Sequence, residues 1–271
     1  MNLEDSGNQA GLFPEVGFPV VYEQPLNERI RNCLRLEHLF VGIKSNVSND
    51  TVWSARSALT RMVEISDFLV RTDAKGELIK ELEREIATFQ GFRSNPGVNV
   101  DALDETIATI DNLLPRLKAP DCQPGNRLRN DELANQVRQR INIPGGACSF
   151  DLPALHFWLS IEPEQRAEQM AEWMDDLKII ETATRTILSL IRGSSGPKTV
   201  TAKDGFYQQR IDSTMPCQII RVVLSQTHDI YPKISAGKQR FTIRFYSQEN
   251  TGSRAAQVEN DINFELHCCG I

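Results

Sequence analysis

The hydrophobic period of this chain changes once. Up to Ser194-Ser195-Gly196-Pro197 apolar residues recur every three or four positions, and beyond that run they recur every second position. A 3.6-residue period buries one stripe of a helix, whereas a period of two buries one face of a strand, so each half can satisfy only one kind of secondary structure. Before the break, residues 52–72 carry Val52, Ala55, Leu59, Met62, Val63, Ser66, Leu69 and Val70 on one stripe, and residues 77–90 repeat it with Leu78, Leu82, Ile86 and Phe89. After Asn95-Pro96-Gly97, Asp101 is expected to cap a helix whose Leu103, Ile107, Ile110, Leu114 and Leu117 form a regular seam. Asn130 or Asp131 opens a helix ending near Ile141, Asp151 is expected to cap a short helix carrying His156, and Pro163 starts a helix pair running to Ile191.

Beyond the linker, Ile220, Val222 and Leu224 face away from Arg221. Phe241, Ile243 and Phe245 alternate with Arg240, Thr242, Arg244 and Tyr246, and Ile262, Phe264 and Leu266 alternate with Asn263, Glu265 and His267. This pattern predicts a half-buried antiparallel sheet with one polar face. Pro19-Val20-Val21-Tyr22 is a candidate N-terminal strand for it. The expected class is α+β: an antiparallel helix bundle over residues 27–193, a linker at 194–198, and a smaller antiparallel sheet domain over 199–271 joined by a strand at 19–26. Residues 1–18, polar and glycine-containing, are expected to be a disordered extension that can be deleted without loss.

A 271-residue chain that is 40% hydrophobic and 24% charged has room for a sizeable core. No apolar stretch reaches the roughly 20 residues that cross a bilayer, and the acidic start Met1-Asn2-Leu3-Glu4-Asp5 is unlike a signal peptide, so a cytoplasmic location without membrane insertion is expected. Six cysteines then read as reduced thiols. The net charge of -6 argues against a nucleic-acid partner. Residues 216–247 nevertheless hold Arg221, Lys233, Lys238, Arg240 and Arg244 against Asp229 alone, a local +4 suited to a small acidic partner.

Catalytic signatures are weak. Cys148, after Gly145-Gly146 and before His156, is the best candidate nucleophile, but no third orienting residue accompanies it. His267-Cys268-Cys269 lacks the spacing of a zinc site, because adjacent residues on a strand point to opposite faces. No glycine-rich phosphate loop is present. The expectation is a non-enzyme without metal or cofactor.

The segment Tyr22–Phe40 couples a helix start at Asn27 to a stripe of Arg31, Arg35 and His38, on a helix expected to be apolar over most of its remaining surface. Together with Val137-Arg138-Gln139-Arg140 through Leu159, Gly205-Phe206-Tyr207, Ile230–Ser235, Lys238–Phe245 and Phe264–Cys269, it resembles the ZapD family of bacterial cell-division proteins. The resemblance extends from Pro19 to Cys269. It implies a protein that binds the C-terminal peptide of the tubulin-like GTPase FtsZ, bundles its filaments at mid-cell and stabilises the Z ring. By resemblance, the binding groove lies where the first helix, the His156 helix and the sheet meet, with Arg35, His156 and Arg240 at its centre and Lys238, Arg244, Arg138, Arg31 and Arg221 around it. Where the family carries a basic residue ahead of the Val137-Arg138-Gln139-Arg140 run, this chain has Glu132. Bundling implies two sites per particle, hence a homodimer, expected to associate through the Leu103–Leu117 and Leu78–Phe89 seams. Alternatives are an adaptor for another acidic peptide, a single-stranded nucleic-acid binder using the basic sheet, and an enzyme centred on Cys148.

Overall fold

A computed structural model describes residues 19–47, 51–93, 97–212, 217–224, 229–237, 239–248 and 250–271. The N-terminal extension, the Asn95-Pro96 break and Lys238 lie outside the described residues. The described residues divide into two compact units, one within 27–194 together with 271, the other within 19–26 and 195–270.

The first unit is helical: α1 (Glu28–Val47), α2 (Val52–Arg71), α3 (Ala74–Phe92), α4 (Val100–Lys118), α5 (Asn126–Asn130), α6 (Glu132–Arg140), α7 (Pro153–Ser160) and α8 (Pro163–Gly193). Short polar residues set where most of them start. Asn27 accepts a hydrogen bond from the Ile30 amide at 2.9 Å, Thr51 from Ser54, Asp73 from Gly76 and Asp131 from Ala134 at 2.8 Å. Asn99, not Asp101, caps α4, because its side chain reaches the Ala102 amide. Asp151 does not cap α7. The helix begins at Pro153, whose missing N–H suits a first turn, while Asp151 faces Arg140 and Cys148. The expected pair after Pro163 is one continuous helix of 31 residues, since no glycine or proline interrupts it before Gly193.

Cap removal gives a modest test. Asp131→Ala is expected to cost about 1 kcal/mol by freeing the Ala134 amide at the start of α6. A thermal melt should register this as a fall of a few degrees. An unchanged melt would show that tertiary packing alone holds α6.

The α4 seam faces the interior. Leu103, Ile107, Ile110, Leu114 and Leu117 are buried, and α4 packs on α3 and α8. Leu78 and Leu82 of α3 are buried as well, with Ile86 and Phe89 partly covered. These two seams therefore serve the chain's own core and are not available as the expected dimer surface. Helix α1 is also less enclosed than its composition suggests: Ile30, Cys33, Leu36, Phe40 and Ile43 are buried, but Leu34 and Leu39 are only partly so and Val41 is exposed. Its basic residues occupy an ordinary outer face.

Beneath α1 and α3 lies a charged cluster. Glu81 is buried and pairs with Arg29 and Arg84, each at 2.6 Å, and Arg29 also holds Glu77 at 2.8 Å. One turn on, Glu85 is fully buried and neither carboxylate oxygen has a hydrogen-bond partner among the described residues. Burial first, then the Glu81 charge, pushes the Glu85 carboxyl up to about 8, against a smaller opposing pull from Arg84. The same burial and the two carboxylates push the Cys33 thiol up to about 12. No helix in the described residues is long and apolar enough to cross a membrane.

The second unit is two antiparallel sheets rather than the single sheet expected. One has the order β1 (Val20–Pro25), β4 (Ile219–Leu224), β8 (Ile262–Cys269), β2 (Lys198–Ala202). The other has the order β3 (Phe206–Arg210), β6 (Arg240–Ser247), β5 (Ile230–Ala236), with β7 (Ala256–Gln257) paired to β6. The N-terminal strand does join, with Val20 opposite Leu224 and Pro25 opposite Ile219. Ile220, Val222 and Leu266 of one sheet and Phe241, Ile243 and Phe245 of the other share one buried cluster, with Phe245 and Phe264 rings 5.1 Å apart. The chain crosses between sheets at Asp204-Gly205, both at positive φ (47° and 66°). A Cβ on Gly205 would lie 2.2 Å from the Val258 carbonyl oxygen, so only glycine fits there.

Candidate functional site

Strand β6 alternates strictly, and pairing fixes what stands beside it. Phe241, Ile243 and Phe245 enter the core, which turns Arg240, Thr242, Arg244 and Tyr246 outward. Opposite Arg240 is Arg210 of β3, and opposite Arg244 are Phe206 of β3 and Lys233 of β5. Arg210, Lys233, Arg240 and Arg244 are exposed, and no carboxylate among the described residues lies within ion-pair reach of them. Like charges facing each other across a sheet cost a few tenths of a kcal/mol to about 1 kcal/mol per pair. Two such pairings on three strands are therefore a cost to the fold that an external anion would relieve.

The same face carries rings. Tyr231 and Tyr246 stack 6.0 Å apart, Lys233 Nζ sits 4.4 Å from the Tyr246 ring centre, and the Arg244 guanidinium lies 5.2 Å over Phe206. Sequence alone does not place Phe206, Arg210, Tyr231 and Lys233 on this face. The signal was present, because Tyr231, Lys233 and Ser235 alternate in β5, but only pairing tells which face of β6 they join.

Arg221 does not share that face. It lies on β4 in the other sheet, directly opposite Glu23 of β1, with its Nε 2.8 Å from the Glu23 carboxylate. The local +4 counted along the sequence is thus divided between two sheets, and its Lys238 is not among the described residues.

In the helical unit, Arg35 is exposed and reaches Glu28 at 3.2 Å and Asn32 at 3.2 Å. Arg31 uses the same Glu28 at 3.1 Å, so one carboxylate is shared by two guanidiniums and the stripe keeps net positive charge. His156 and Phe157 stand exposed on α7 while Leu155 and Trp158 turn inward. Arg138 is committed to structure: its Nε binds Asp67 of α2 at 2.6 Å, and its guanidinium also contacts Asn135. Arg140 is less committed, 3.5 Å from Asp151. Glu132 is exposed and bonded to Gln136 within its own helix.

The Cys148 thiol donates toward Asp151 at 3.4 Å, and no hydrogen bond between it and His156 is formed among the described residues. In the sheet unit a hydrogen bond from Cys217 lowers Cys268, and the same bond raises Cys217. Among the described residues no three histidines, cysteines or acids group as a metal site.

Comparison with known proteins defines the class first: these are cell division proteins. The chain belongs to the ZapD family, whose model, described as "Cell division protein", matches residues 34–244. It is 32% identical over 257 residues to the ZapD protein of Coxiella burnetii (strain RSA 331 / Henzerling II), covering 94% of this chain and all of that protein. It is 35% identical to that of Methylococcus capsulatus (92% of this chain, 98% of the relative) and 36% identical to that of Enterobacter sp. strain 638 (92% and 98%).

Proposed function

We propose that this protein binds the acidic C-terminal tail of FtsZ, cross-links FtsZ filaments and so stabilises the Z ring at mid-cell. The observation that carries the reading is the face of β3, β6 and β5, where Arg210, Lys233, Arg240 and Arg244 stand exposed without carboxylate partners among the described residues. Arginine forks hold carboxylates in bidentate fashion, and an extended peptide with aspartates at intervals would relieve the cross-strand repulsion. Arg240 is the chief proposed contact of the sheet unit, and Arg35, Arg31 and His156 are the contacts proposed within the helical unit, each by resemblance to the family. Arg138 and Arg221, held by Asp67 and Glu23, are supporting residues, and Lys238 adds charge beside Arg240 in sequence.

No metal, cofactor or catalytic step enters this reading. Bundling needs two tail sites on one particle, so the working unit is a homodimer that gains avidity from tails concentrated along a filament. Because the α3 and α4 seams are buried, the contact between copies must use other, exposed surface. Light scattering of the protein alone should give about twice 30.6 kDa. Mixed with polymerised FtsZ it should raise turbidity and pellet with the filaments, and FtsZ lacking its C-terminal tail should give neither effect. A monomer that still bundles would overturn the valency, and binding to tail-less FtsZ would overturn the site.

A second reading has one observation in its favour: Tyr231, Tyr246 and Phe206 share the cationic face, as in sheets that stack single-stranded nucleic acid. Lysine and arginine cover those rings, and the chain is acidic overall. Oligonucleotide binding that matched tail-peptide binding would favour it.

A further inference from the structure

We propose that the cavity bounded by α2, α6 and α7 is an anchor pocket for an apolar side chain of the acidic peptide, an inference that rests on the peptide reading above. The cavity measures about 350 Å³, at the lower end of the range of ligand pockets and suited to one or two side chains. Its floor is buried and apolar, formed by Leu59 of α2, Val137 of α6 and Leu155 of α7. Its wall is the turn from Ile141 to Ala147. That turn is held close: a Cβ on Gly146 would lie 2.7 Å from the Ile143 Cβ and 2.9 Å from the Arg140 carbonyl oxygen, so glycine lets the wall fold back on α6.

The lining is cationic at Arg56 and Arg140. Arg56 stacks on Trp53 at 5.4 Å and has no carboxylate within ion-pair reach among the described residues, while Arg140 has only the 3.5 Å contact to Asp151. Trp53 is 73% exposed and Ile143 51%, apolar surface that water would otherwise cover. An apolar floor with two arginines selects an apolar residue flanked by carboxylates. A free phosphate or a neutral apolar ligand would satisfy only one of these features. The buried floor of Leu59, Val137 and Leu155 is where the apolar part of the ligand would be read.

The test is a double-mutant cycle by fluorescence anisotropy, using the FtsZ C-terminal peptide and a version with its apolar residues replaced by serine. Wild-type protein should bind the serine version at least about 10-fold more weakly, as expected for one buried aliphatic or aromatic side chain. Ala147→Trp, which fills the cavity, and Ile143→Ser, which strips apolar surface from an exposed position, should each reduce that discrimination to about 2-fold or less. Should the tryptophan lower the melting temperature, the Ile143→Ser protein decides. Discrimination that survives in stably folded variants overturns the pocket while leaving the peptide reading intact. Failure of the wild type to bind either peptide overturns both. Variants that lose dimer mass but bind the two peptides as wild type does would assign the surface to a second copy, and so also overturn the pocket.

Discussion

Arg240→Glu is expected to lower affinity for the FtsZ tail peptide at least about 30-fold while leaving the fold intact, since losing and reversing one central charge contact costs roughly 2–4 kcal/mol. The fold should tolerate the change because Arg240 is exposed and Arg210 stands directly opposite it. A glutamate there would turn a like-charge pair into an attractive one, worth a few tenths of a kcal/mol to the sheet. Affinity and stability are thus expected to move in opposite directions, which separates a binding residue from a structural one. Arg244→Glu should weaken binding in the same sense, and wild-type affinity should fall as salt rises. Titration of labelled peptide alongside a thermal melt measures both. If Arg240→Glu and Arg35→Glu each bound the peptide as wild type does, neither surface would be the site.

The largest stability effect is expected at Glu85. Its ordinary pKa of 4.5 applies to the unfolded chain, and about 8 applies once folded, so between those values the folded protein holds a proton that the unfolded chain releases. The contribution of this group is therefore most favourable below about pH 4.5 and is lost as pH rises toward 8, at about 1.4 kcal/mol per pH unit. Over 8 − 4.5 = 3.5 units this amounts to at most about 5 kcal/mol. Glu85→Met, which fills similar space without a charge, should remove this loss. Urea denaturation should find the variant more stable by a few kcal/mol at pH 8, and the gap should narrow steadily toward pH 5. Parallel pH profiles for the two proteins would mean that Glu85 is hydrated or paired in solution.

Much of this molecule is local and therefore legible without a structure. The change of period at Ser194–Pro197, the cap at Asn27, and the inward set Phe241, Ile243 and Phe245 all follow from side chains a few residues apart. Where neighbours in sequence competed for one role, only geometry chose. Asn99 reached the Ala102 amide ahead of Asp101, and Asp151 faced Arg140 and Cys148 instead of capping α7. The Leu103–Leu117 seam was equally legible, but a regular apolar stripe does not state whether it meets its own bundle or another chain. Its burial against α3 and α8 settles that.

The site divides along the same line. The sequence by itself determined the family-bearing motifs, the outward turn of Arg240 and Arg244, and the positive charge after the linker, because each depends on residue type and on alternation along one strand. Strand pairing decided the rest. It removed Arg221 to the other sheet beside Glu23, and it set Arg210 and Lys233 against Arg240 and Arg244. The physical reason is register: the partner facing a residue across a sheet is fixed by long-range hydrogen bonding, which leaves no local trace in the sequence.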